Sequence, residues 1–148
     1  MRLSDVKVKQ GRIETERADV LVFAQFESDA TLRGATAAVD SSLSGALRDL
    51  LKSKEFEGKQ NQTVLLHSQG KIPAKRVLLV GLGKKAEVRA DSLRQAMASV
   101  AKRVQQAGAN SFHTLLHDQG FSRTSPAFIA RAMVEGAALA EIGRASCR

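Results

Sequence analysis

The hexapeptide Gly81-Leu82-Gly83-Lys84-Lys85-Ala86 follows an apolar run, Val77 to Val80, and satisfies the glycine-rich dinucleotide pattern in its variant ending in Ala. In such a turn the glycines let the backbone close on a pyrophosphate. A helix beginning at the second glycine then aims its free amides at the phosphate oxygens. This chain does not supply that helix in time, because capping residues and an apolar stripe start only near Asp91. The acidic residue expected at the end of a following strand is also missing, since that interval falls inside the stripe Leu93 to Val104. The residues therefore favour a tight strand exit over nucleotide binding.

His113 and His117 are four apart, the spacing of paired metal ligands on a helix, but Thr114 stands where a zinc-binding helix places Glu. Phe112 to His117 reads instead as a strand. There the two histidines share a face on either side of Leu115, too spread to chelate one ion without other ligands. His67 ends a different strand, so a three-histidine cluster stays open in principle, with satisfied structural histidines the simpler reading. Asp29, Asp40, Asp91 and Asp118 adjoin loops, where turn and cap roles account for them. Ser44 and Ser122 lack the G-x-S-x-G setting of a nucleophile elbow. Cys147 is the only cysteine, which leaves no disulfide framework or thiolate site and makes a reducing, cytoplasmic compartment the simplest home. No catalytic, cofactor-binding or metal-ligating residue is assigned.

The net charge is +8, of which Arg144 and Arg148 in the last six residues supply +2. The cations fall in small groups: Lys7 and Lys9, Lys52 and Lys54, Lys71, Lys75 and Arg76, Lys84 and Lys85, then Arg94, Lys102 and Arg103. No aromatic residues are interleaved with them, so a solvated surface explains most of this charge. A salt-dependent, weakly selective phosphate contact with DNA is the alternative.

A length of 148 residues suits one domain, and 43% hydrophobic with 26% charged residues argues against wholesale disorder. Arg2 to Gln10 alternates apolar and charged residues like an edge strand and offers no signal-peptide stretch, and the other apolar runs are too short to span a membrane. Ala18 to Ala24 reads as a buried strand, and Glu27 to Ala38 as a loop. A helix is expected from Asp40-Ser41-Ser42 through Leu43, Ala46, Leu47, Leu50 and Leu51. Val64 to Leu66 and Val77 to Val80 read as strands covered on both faces. A second helix, capped by Asp91 or Ser92, carries Leu93, Ala96, Met97, Val100, Ala101 and Val104 and stops at Gly108. After the strand at 112–117, Ser125-Pro126 opens a small-residue helix through Ile129, Met133, Gly136, Ala137 and Ala140 that should pack closely. This order predicts a three-layer α/β/α domain with a mixed, mostly parallel sheet.

Several spaced motifs then agree in order. Glu57-Gly58-Lys59, Gln62-Thr63 with three apolar residues ending in His67, and Lys75-Arg76-Val77-Leu78-Leu79-Val80-Gly81-Leu82-Gly83-Lys84 resemble the amino-terminal domain of leucyl (cytosol) aminopeptidases. The similarity extends through Val39-Asp40, Gly45-Ala46-Leu47 and Val134-Glu135-Gly136-Ala137-Ala138-Leu139-Ala140, covering most of Val6 to Ile142. Asn61 stands where relatives commonly have glycine, a mild change because Asn tolerates a left-handed backbone.

The resemblance implies a macro-like fold for residues 1–142 in a domain that does not perform the chemistry. In the family, a separate catalytic domain carries an Asn-Thr-Asp-Ala-Glu-Gly-Arg-Leu motif and binds two divalent metals, typically zinc, manganese or magnesium, to remove N-terminal residues from peptides. None of those motifs occurs here, so the 148 residues are expected to be inactive alone. The implied partners are that catalytic domain and the other subunits of a homo-hexamer, where this domain sits outermost and helps set assembly and access to the active sites. Residues 143–148 break the family pattern and read as a non-native tail that packs against nothing. Ligand binding by the macro-like fold itself, for instance of an ADP-ribose-type molecule, would use loops around Gly34 and Gly81, which lack a phosphate cradle.

Overall fold

The computed structural model describes residues 12–109, 111–114, 131 and 134–136. Among these residues four strands form one sheet: β1 (Val20–Gln25), β2 (Thr63–His67), β3 (Arg76–Gly81) and β4 (His113–Thr114), in the order β2-β3-β1-β4. β1 runs parallel to β3, with Val20 opposite Arg76 and Gln25 opposite Gly81, and parallel to β4. β2 is antiparallel to β3. The sheet is thus mixed and mostly parallel.

Alternation along the strands divides the core into two layers. Val20 and Val22 of β1 join Leu78 and Val80 of β3 on one face, against Leu93, Ala96, Met97, Val100 and Val104 of α3 (Ala90–Gln106). Leu21 and Phe23, with Val77 and Leu79, face the other way onto Val39, Leu43, Leu47 and Phe56. Both faces of β1 and β3 are covered by apolar side chains, which is why these strands are written as continuous apolar runs. β2 differs from the expectation: it is outermost among the described strands, and its Val64, Leu65 and Leu66 are only half-buried.

α3 buries all six residues of its predicted stripe. Its end is a Schellman closure at Gly108, whose φ is 74°. The Gly108 amide donates to Gln105 O at 3.0 Å and the Ala109 amide to Val104 O at 3.1 Å, and Ala109 and Val104 lie in the same core layer. The start is corrected: the helix begins at Ala90, and Ser92 serves by accepting a bond from the Arg89 amide at 3.2 Å rather than as the residue before the helix.

The other helical layer also departs from the sequence reading. A helix, α1 (Gly34–Ser42), takes up the end of the expected loop and the residues Asp40-Ser41-Ser42 read as caps, and the expected single helix starts later, as α2 (Ala46–Lys52). Leu43-Ser44-Gly45 separates them, with Ser44 and Gly45 at φ of 59° and 81°. Asp40 does cap, but from the last turn of α1 across to the next helix. Its buried carboxylate accepts from the amides of Leu47 at 2.9 Å and Arg48 at 3.1 Å.

The predicted strand at 2–10, most of the small-residue helix and the 143–148 tail lie outside the described residues. Residues 134–136 are helical, and Gly136 abuts the Arg94 carbonyl of α3 so closely that a Cβ there would collide with it. This is the close packing that the small residues anticipate.

Candidate functional site

Three segments meet where β1 and β3 end and β2 begins: 26–29 after β1, 58–62 before β2, and the glycine-rich stretch 81–85 that begins at the last residue of β3. In an open α/β sheet this end is where ligands settle, so its backbone donors decide what it can bind. They are largely spoken for. The Leu82 amide donates to Gln25 O at 3.0 Å, Gly83 to Gly58 O at 3.0 Å, Glu27 to Gly83 O at 2.8 Å and Ser28 to Glu57 O at 3.3 Å.

The glycines are required by this weave. A Cβ on Gly81 would run into Lys59 O and the Gly58 carbonyl, and one on Gly58 into Phe26 O. Gly58 also has φ of 79° and Gly83 of 76°. Gly81-Leu82-Gly83 therefore serves a tight strand exit. After it comes a single 3-10 turn, Lys85–Glu87, and α3 starts only at Ala90. Lys85 turns back over the Phe26 ring, its Nζ 5.6 Å from the centroid.

Asn61 closes the same end. The Asn61 amide donates to Gly81 O at 3.0 Å while the Gly81 amide donates to Gln62 O at 2.8 Å, so two residues oppose one as β2 begins. This is a bulge whose first residue takes the left-handed conformation, and Asn61 has φ of 66°. The Gln62 side chain accepts from the Glu57 amide at 3.0 Å and the Lys59 amide at 3.3 Å, tying the preceding loop to the bulge.

The histidines do not gather. His67 ends β2 and His113 lies on β4, at opposite ends of the order of described strands, three interstrand steps or about 14 Å apart. His117 lies outside the described residues, as do Asp118, Ser122 and Cys147. Among the described residues no three His, Cys, Asp or Glu side chains are placed to hold a metal ion.

The acidic residues do structural work. Asp29 accepts from the Thr31 amide at 3.0 Å and pairs with Arg33 at 2.8 Å. Burial raises its pKa, but the bonds from Arg33 and Thr31 outweigh that and hold it below the usual carboxylate value. Asp91 accepts from the Gln95 amide group at 2.8 Å. Glu135, not singled out by spacing, sits between Arg94 at 2.6 Å and Arg131 at 2.9 Å, and those two bonds lower its pKa. Ser44 belongs to the break between α1 and α2.

The cations are spread out as well. Lys84 and Lys85 lie at the sealed end, and Lys71 and Lys75 at the other end of β3, about 20 Å away along six residues of strand. Lys52 ends α2, and Lys102 is exposed on α3. No helix among the described residues is long and apolar enough to cross a membrane.

Known proteins share both the sequence and this framework. The macrodomain of Mycobacterium tuberculosis DarG superposes with a TM-score of 0.69 at 9% identity over 86% of each chain, a likeness of fold alone. A tomato leucine aminopeptidase variant gives a TM-score of 0.65 at 26% identity, covering 86% of this chain and 27% of the other. A probable cytosol aminopeptidase of Alkaliphilus oremlandii is 29% identical over 137 residues, 91% of this chain and 27% of that protein. One from Nostoc punctiforme is 34% identical over 126 residues, 82% of this chain and 24% of that protein. The chain thus spans about a quarter of the length of these relatives. Residues 20–142 match the profile of the cytosol aminopeptidase family, N-terminal domain, and with its macro-like α/β/α fold the chain belongs to that family.

Proposed function

We propose that these residues form the non-catalytic amino-terminal domain of a cytoplasmic, leucyl aminopeptidase-like metalloexopeptidase, which removes N-terminal residues from peptides. In this reading the metal pair, zinc, manganese or magnesium, belongs to a separate catalytic domain, and this domain contributes to hexamer assembly and to access to the active sites. One observation carries the proposal: the family match occupies residues 20–142 while the chain corresponds to only about a quarter of its relatives. The geometry supports it, because the strand ends that would hold a ligand in an α/β sheet are closed by backbone packing at Gly58 and Gly81.

The 148-residue chain, assayed on a leucine anilide with manganese, is expected to give no turnover above the blank. Saturable turnover would overturn the proposal. In a longer protein carrying the catalytic domain, removing residues 1–142 is expected to lower the assembled mass seen by sedimentation while metal binding persists. An unchanged assembly would remove the assembly role.

A further inference from the structure

The opposite end of the sheet is built differently. β1 and β3 are parallel, so both start here, and the Lys75 amide donates to Ala18 O at 3.1 Å to join the two approaching segments. Over them curls the loop from Ser68 to Lys75 between β2 and β3. It is held in shape from within: the buried Ser68 hydroxyl donates to the carbonyls of Ala74 and Lys75, and the Lys71 amide donates to Ser68 O at 3.1 Å. Ile72 and Ala74 anchor the loop in the core beneath α1 and α2. Between this rim and the start of β1 lies an open depression of about 730 Å³, a size that suits a small molecule.

Among the described residues the wall carries more cations than carboxylates: Arg17, Lys71 and Lys75 line it with Asp19, which lies 3.9 Å from Lys75. Arg17 and Lys71 are exposed and have no ionic partner among the described residues. Ala18, Ile72 and Pro73 give the same wall an apolar stretch.

We propose that this depression binds a compact anion with a small apolar body, an organic phosphate or a dicarboxylate, with Arg17 and Lys71 as its charge contacts and the Ile72-Pro73 wall against its carbon skeleton. Inorganic phosphate and glutarate, titrated separately into the 148-residue chain at low salt and followed by amide chemical shifts, distinguish the two sources. Saturable shifts are expected at Ala18, Asp19 and 70–75, with Leu82 to Lys85 unmoved. The Arg17→Ala, Lys71→Ala double variant removes exposed side chains, so the fold should persist, and binding should weaken by about tenfold. The inference is overturned if the shifts do not saturate, if they spread equally to Lys84 and Lys85, or if the double variant binds as tightly as the parent.

Discussion

The two ends of the sheet are both edged with lysines and both contain a left-handed glycine, yet one is closed by main chain and the other is open. Gly58 and Gly70 have φ of 79° and 80°, so the local backbone demand is the same. Their surroundings are not. A Cβ on Gly58 would strike Phe26 O, whereas no atom of the described residues lies within 4 Å of one on Gly70. The difference separates two reasons for glycine, conformational freedom and close approach, and only the second closes a site.

Paired substitutions test that separation most strongly. Gly58→Ala should cost about 3 kcal/mol or more, combining the left-handed penalty with displacement of the Phe26 strand exit, and Gly81→Ala should be comparable through Lys59 O. Gly70→Ala should carry only the conformational part, about 1 kcal/mol. Denaturant midpoints of the three variants decide the matter, and equal losses at Gly58 and Gly70 would erase the distinction between the ends.

What the sequence revealed follows the same division between local and long-range causes. α3 is legible because seventeen residues repeat one apolar stripe, and β1 and β3 because covering both faces leaves no polar positions in their centres. α1 was hidden by its Gly, Thr and Ser, which are weak helix formers, although Leu32, Ala35, Val39 and Leu43 do fall at helical spacing and enter one core layer. The glycine motif was legible as a strand exit. That Gly81 meets Gly58 was not, since contact between segments more than twenty residues apart leaves no periodic trace. The Arg94–Glu135 pair was equally silent, because its two residues lie forty-one apart on different helical segments.

A smaller effect should sharpen the description of the sealed end. Asn61 already occupies the left-handed first position of the bulge, so Asn61→Gly relieves residual strain but gives up the bonds to Gln60 at 2.7 Å and Gln95 at 3.3 Å. These exposed bonds are weak, and the net change should stay within about 0.5 kcal/mol of zero. Asn61→Ala loses both the bonds and the tolerance and should destabilise by about 1 kcal/mol. If Ala were accepted as well as Gly in thermal unfolding, the bulge would not be a fixed part of the closure.

A further small effect is electrostatic and belongs to the loop leaving the sealed end. The Asp29 carboxylate is held below its usual pKa despite partial burial, because Arg33 and the Thr31 amide favour the charged form. A depressed acid stabilises the fold above its unfolded pKa and loses that contribution as pH falls through its folded value. Asp29→Asn should therefore cost stability near neutral pH, by no more than about 1 kcal/mol because Arg33 is half-exposed. The gap between variant and parent should shrink below about pH 4 as the parent's own carboxylate becomes neutral. Melting temperatures of the two chains across that range provide the check. A gap independent of pH would assign Asp29 a purely steric part in the turn and leave backbone hydrogen bonds and glycine contacts as the whole of the closure.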